Sequence, residues 1–374
     1  MVQALKRLAL LWLSLAAVLI VGPAQAHMSS NGYLRVELGE NGALKGRLEI
    51  ALRDLDAAIG LNPGPDGALT WGALKARRAA IEAYAFSRLE LPDCAVRPDA
   101  LLVDRHAGAA YAVLRFSAEC RQTPGALTLT YNLLFDIDPT HRGLATVASS
   151  EGERTEVLSP DHRTLAIDRQ SGGRLDDFER FVTFGVGHII LGYDHLLFVA
   201  LLMIVVGFHR VADGSWRPVE GIGGTLVEAL KILTAFTLAH AIALSLATFR
   251  VIDAPSRYVD PAVAVTIMLT AIDNIRPILP RVRWMMAFGF GLVHGLAFAT
   301  ALAPMQLPPL GIALALGGFN IGVELGQLML ALLLVPIVLV ARREPLYPRA
   351  IAPALSAGAF LLASFWFVER VRAL

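Results

Sequence analysis

The residues best suited to chemistry in this chain sit where ionisable groups are rarest, inside long apolar runs. The stretch FVTFGVGHIILGYDHLLFVALLMIVVGF, Phe181 to Phe208, is long enough to cross a bilayer, yet it carries His188, Asp194 and His195. Later apolar runs hold His240, Asp273, His294, Asn320 and Glu324. A charged group at the centre of a membrane helix costs at least ~2.5 kcal/mol on insertion scales, so such groups face the bundle interior and mark a function. Imidazoles and carboxylates without a thiolate suit Ni²⁺, Co²⁺, Zn²⁺, Cu²⁺ or Fe²⁺. His195, His240, His294 and Glu324 lie near the centres of four different runs, which predicts one shared metal site at the bilayer midplane. Asp194, Asp273 and Asn320 are expected to orient its ligands or accept protons released on binding.

His188 and His195 are seven residues apart. Two turns of unbroken helix would separate them by ~10 Å along the axis, too far to hold one ion as a pair. Either the helix loosens at Gly192 or His188 is an outer station feeding the central site, and the second arrangement is preferred. The bland alternative is that each polar group only cross-links helices, with hydrogen bonds averaging ~0.6 kcal/mol. Four histidines with several carboxylates and a carboxamide favour a site over isolated cross-links. Small residues in GFGLVHGLAFA and GGFNIGVELG surround His294 and Glu324, where they let helices approach closely.

The elements that position these groups follow from composition. The 374 residues are 55% hydrophobic and 17% charged, with a mean hydropathy of +0.55, which fits a polytopic membrane protein with one soluble part. A net charge of +1 excludes a global basic footprint for nucleic acid. The fold expected is an all-α membrane domain of six transmembrane helices, residues 175–374, preceded by a mainly-β exported domain with a helical insert, residues 27–174. The six spans are Phe181–Phe208, Leu226–Phe249, Val259–Leu279, Trp284–Ala303, Gly311–Ala341 and Ile351–Val368.

Residues 1–26 read as a secretory signal, with Lys6 and Arg7 before an apolar core and Ala24-Gln25-Ala26 as the cleavage site. Cleavage leaves His27 at the new terminus, where amine and imidazole form a secondary chelating site. Short alternating runs such as YLRVEL, AAYAVLRFS and GLATVAS predict a β-sandwich-like exported domain, with one helix over Trp71–Leu89. An exported compartment permits pairing of Cys94 with Cys120. NPGPDGALTWGA is similar to a calcium loop but offers Gly64 and Ala73 where oxygen ligands are needed, so it is a structural turn. Arg210, Arg217, Arg276, Arg281, Arg283, Arg342, Arg343 and Arg349 fall on one side of the predicted bundle. The positive-inside rule then places the N-terminal domain outside a bacterial cytoplasmic (inner) membrane.

HIILGYDHLLFV, LTAFTLAHAIALSLA, FGFGLVHGLAFA and GFNIGVELGQ resemble the motifs of HupE/UreJ proteins, in the branch with an exported N-terminal domain. AHMSSNGYL and LRDLDAAIGLNPGPDGALTW are similar to the same branch. The resemblance implies a secondary permease for nickel or cobalt, linked in better-known members to hydrogenase or urease maturation. It maps an H-x5-DH motif onto His188, Asp194 and His195. Where the family is expected to carry glutamates in the third span, this chain has Asp260 and the pair Asp273-Asn274, whose reach is shorter.

The metal ion is thus the expected substrate, and no nucleotide-binding G-x4-GK[ST] is present, so an ion gradient or the membrane potential must drive transport. Two rivals remain open. One is an intramembrane metal-dependent hydrolase, although neither HExxH nor GxSxG occurs. The other is a membrane-anchored metal-binding or assembly protein whose exported domain meets a periplasmic partner.

Overall fold

A computed structural model describes residues 30–39, 43–62, 69–92, 94–106, 109–120, 127–149, 152–167, 174–210, 216–219, 221–252, 255–276, 278–279, 282–302 and 309–372. Residues 1–26, expected to be a signal, His27 and half of the calcium-like loop lie outside the described residues. The chain falls into an N-terminal β-rich region and a helical C-terminal part.

The β-rich region contains β1 (Asn31–Leu38), β2 (Ala43–Ala51), α1 (Leu52–Ile59), α2 (Trp71–Ala76), α3 (Arg78–Arg88), β3 (Leu89–Glu90) and β4 (Cys94–His106). It continues with β5 (Ala109–Cys120), β6 (Leu127–Tyr131), β7 (Arg142–Ser149), β8 (Gly152–Leu158) and β9 (Thr164–Ile167). Six strands form one sheet in the order β4-β5-β2-β1-β7-β8, and three form a second in the order β3-β6-β9. The single helix expected over Trp71–Leu89 is two helices, divided at Arg77, where φ and ψ are −98° and 6°. Cys94 and Cys120 face each other across β4 and β5 and are joined by a disulfide.

The larger sheet is apolar on both faces because it has two neighbours. Side chains alternate along a strand. Leu34 and Val36 of β1 enter a core with Leu48, Leu114, Leu129 and Ile81, which joins both sheets to the helices. Tyr33, Tyr111 and Leu144 belong to a second cluster, with Phe181, Phe184 and Phe319 of the helical part. This cluster fixes the β-rich region against one end of the bundle.

The helical part runs α4 (Arg174–Leu191), α5 (Tyr193–Met203), the short hairpin β10 (Phe208–Arg210) and β11 (Trp216–Pro218), then α6 (Gly221–Thr248) and α7 (Ser256–Ile275). It ends with α8 (Arg283–Leu302), α9 (Pro309–Ala341), a π-turn over Tyr347–Ile351 and α10 (Ala352–Arg372). Among the described residues four helices are long and apolar enough to cross a membrane, and five if α4 and α5 form one broken span. These helices mark a multi-pass membrane protein. The expectation of six spans is not reached on that count, because α8, at the place of the fourth expected span, is not among them.

Glycine sets the distance between the helices. At Gly185 of α4 and Gly322 of α9, an added Cβ would collide with the facing backbone at Phe319 and Val182 respectively. Gly291 and Gly295 bring α8 equally close to the α6 backbone at Phe236 and His240. Such contacts replace side-chain volume with direct backbone packing.

Candidate metal centre

The chain breaks where His188 and His195 need it to. α4 and α5 meet at Gly192 with a bend of 73°. Gly192 has no side-chain cap, and a Cβ there would lie 2.6 Å from the His188 carbonyl and 3.1 Å from His195 Nδ1. The bend folds the seven-residue spacing back on itself, leaving the two imidazole centroids 4.4 Å apart. The preferred picture of His188 as an outer station on a straight helix is therefore corrected. The helix loosens at Gly192 and both rings share one place.

Ring nitrogens of His188, His195 and His240 all lie within 4.8 Å of one another, a grouping able to hold a metal ion. Hydrogen bonds decide which nitrogen each ring offers. His195 Nδ1 is 2.9 Å from Asp194 Oδ1, and a carboxylate only accepts, so Nδ1 carries the proton. The same oxygen accepts from the His195 backbone N–H at 2.8 Å. Asn320 donates Nδ2 to the Leu316 carbonyl at 2.7 Å, which turns Oδ1 toward His240 Nδ1 at 3.2 Å. His240 Nδ1 is thus also a donor. His195 and His240 therefore keep a lone pair on Nε2, and the Nε2 atoms of His188, His195 and His240 are all buried without a hydrogen-bond partner. Metal-ligating histidines characteristically have the other nitrogen held by a carboxylate or carbonyl in this way.

His294 stands at the edge of this group. Its ring centroid is 5.0 Å from that of His195. Thr266 donates its hydroxyl to the Val263 carbonyl at 2.7 Å, so it accepts from His294 Nε2 at 2.9 Å. The lone pair of His294 is then on Nδ1, which is buried and unpartnered. Phe198, Phe298 and Phe319 wall the imidazoles, with Phe298 4.4 Å from His188 and Phe198 4.9 Å from His294 between ring centroids.

Two expected members are elsewhere. Glu324 accepts a 2.8 Å hydrogen bond from Thr234, on a rung of the α6–α9 contact apart from the His240–Asn320 rung, and it is not in the three-histidine group. Between α6 and α9 there is also a bond from Thr237 to Gln327 at 3.3 Å. Asp273 accepts from the backbone N–H groups of Ile278 and Leu279 at 3.0 and 2.9 Å, closing the end of α7. His27 lies outside the described residues.

Arg370 is the functional residue that sequence reasoning overlooks. It is 5% exposed, donates to Asp194 Oδ2 at 3.1 Å and to the Asp260 carbonyl at 2.7 Å, and so ties α10 to α7 and to the α4–α5 break. Its signal is weak, because FVERVR reads as a polar tail beyond the last span. A cavity of about 390 Å³ connects the parts: His188, His195, Asp194 and Arg370 line it from the bundle, and Asn31 and Asp138 from the β-rich region.

The helices mark a multi-pass membrane protein, and the imidazole cluster with its Asp194 and Asn320 partners is a grouping able to hold a metal ion. The family model described as HupE / UreJ protein matches residues 163–370, and the chain belongs to that family, which is associated with nickel and cobalt transport. The match covers the whole helical part up to α10 and leaves most of the β-rich region outside it. No curated protein matches the chain.

Proposed function

We propose that this protein is a permease for a divalent transition metal, nickel or cobalt by preference, of the bacterial inner membrane. In this reading α4 with α5, α6, α7, α8, α9 and α10 give six spans, and the β-rich region is exported to the periplasmic side after removal of residues 1–26. The observation that carries it is the set of three bare Nε2 atoms on rings packed within ligand distance of one ion. Leaving three imidazole nitrogens buried without partners would cost about 1–3 kcal/mol each, and a bound cation removes that cost. His188, His195 and His240 are the metal ligands, with His294 as a further donor. Asp194 and Asn320 orient them, while Glu324 and Asp273 serve the path and the fold at a distance. Three imidazoles with an open position would take Zn²⁺ or Cu²⁺ as well, so the family association is what favours nickel and cobalt.

The test is uptake of Ni²⁺ and Co²⁺ by cells making the wild-type protein or H195A/H240A at equal level. Transport predicts loss of uptake in the variant. Equal uptake would end this reading, and metal-dependent hydrolysis by purified protein without uptake would favour the enzyme rival.

A further inference from the structure

The roof of the cavity carries an acid with one oxygen that nothing hydrogen-bonds, beside the Arg142 guanidinium, which lines the same cavity and acts on its charge. Asp138 lines the cavity from the β-rich region and is 7% exposed. Its Oδ1 accepts from the Thr140 backbone N–H at 2.8 Å and from the Thr140 hydroxyl at 2.6 Å. Its Oδ2 is buried and has no hydrogen-bond partner. Arg142, the cation of the same turn, donates Nη1 to the carbonyls of Pro139 and His141. Asp194, which lines the same cavity, is different, since His195 occupies one oxygen and Arg370 the other. The turn holding Asp138 is itself anchored: His141 is wholly buried, 2.6 Å from Ser30 Oγ and 2.8 Å from Tyr131 OH. A carboxylate oxygen kept dry and unpaired on an anchored turn is costly, and a cation in the adjoining cavity would remove the cost.

We infer that Asp138 is the first ligand on the ion's route, a second and looser cation site contributed by the β-rich region. It holds a hydrated divalent ion through Oδ2 before the ion moves to His188, His195 and His240. This rests on the three-histidine reading above. Oxygen ligands with retained water bind such ions weakly, and imidazole binds late first-row metals more firmly, so the hand-over runs downhill. The cavity has room for an ion with part of its water shell. A carboxylate at the mouth of a low-dielectric cleft also raises the local cation concentration and the association rate.

The test is stopped-flow binding of Co²⁺ to the full chain in detergent, read from the visible absorption of Co²⁺ on imidazole. D138N keeps the Oδ1 acceptor for Thr140 and removes the charge. Its association rate should fall about tenfold, with the final spectrum unchanged, and D138E should recover most of the rate. A wild-type rate in D138N would overturn the inference, as would an altered final spectrum at an unchanged rate. If D138N does not fold, wild-type association at low and high salt decides, because a capturing charge is screened. Salt-independent association would then overturn it. H195A/H240A separates the two ideas: if it retains the imidazole spectrum, the three-histidine site itself is wrong.

Discussion

His141 in the β-rich region and His240 in the bundle are both 0% exposed, yet they use their nitrogens in opposite ways. Ser30 donates its only hydroxyl proton to Asp54 at 2.8 Å and so accepts from His141 Nδ1 at 2.6 Å, while Tyr131 OH donates to Nε2 at 2.8 Å. The ring also stacks on Tyr131 with 3° between planes. His141 is complete: one nitrogen donates, the other accepts, and no lone pair is left for an ion. His240 donates through Nδ1 to Asn320 and leaves Nε2 bare, as His188 and His195 also do at Nε2. Burial alone thus does not distinguish the two histidines. The unpaired atom does, and its concentration on three neighbouring rings is what singles out the bundle.

The sharpest way to break this comparison is to remove one ring from each region and measure Co²⁺ affinity of the purified chain. H188A, H195A or H240A should each weaken binding by more than the roughly 10–100-fold that outer partners are worth. His141→Gln should leave affinity within about twofold, since it belongs to no bare-nitrogen group. Equal losses from His141→Gln and H240A would mean that the effect runs through folding and that the bundle rings are no different in kind.

A smaller effect tests the hydrogen bonds that assign the tautomers. Asn320→Leu removes the acceptor for His240 Nδ1–H, and Asp194→Asn replaces the carboxylate that faces His195 Nδ1–H. Each should cost about 10–100-fold in affinity with the ligands still present. Asp194→Asn should be the more damaging of the two, because Arg370 then loses its carboxylate as well as His195. Binding unchanged in Asn320→Leu would show that His240 does not need that tautomer and would loosen its assignment as a ligand.

The same contrast explains what was legible in the sequence. Residue type and depth within apolar runs were enough to pick out His188, His195, His240 and Asn320, since few reasons put imidazole in hydrocarbon. A loosening at Gly192 was one of two readings of the sequence and not the preferred one, because Gly192 in GHIILGYDHLL is compatible with a continuing helix. Only the bend of 73° makes partners of residues seven apart. Glu324 was assigned by depth, but depth leaves the rung of the α6–α9 contact undetermined, and Thr234 claims it. Arg370 acts across elements distant in sequence, Asp138 lines a cavity shared with such elements, and nothing local marks either one. In the β-rich region the alternating runs gave strands, while the parallel pairing of β1 with β7, and the bundle-facing role of Tyr33, depend on neighbours supplied by the whole fold.

The smallest expected effect comes from the completed histidine and has a definite sign. Burial pushes the His141 imidazole down to about 3, against the opposing pull of Asp138, so the folded ring stays neutral through the physiological range. Unfolded histidine takes up a proton near pH 6.5. Below that value the unfolded chain binds a proton that the folded chain refuses, so stability is full above about pH 6.5 and declines toward the folded value. Between pH 7 and pH 5.5 the decline attributable to this ring is on the order of 1 kcal/mol. His141→Gln should lower stability at pH 7, because Ser30 and Tyr131 lose part of their hydrogen bonding, and it should also flatten this part of the pH profile. Denaturation of both proteins followed by tyrosine signal at pH 7 and pH 5.5 measures the difference. A slope that survives His141→Gln would mean that other groups carry it and that the ring's two filled nitrogens do not hold it neutral.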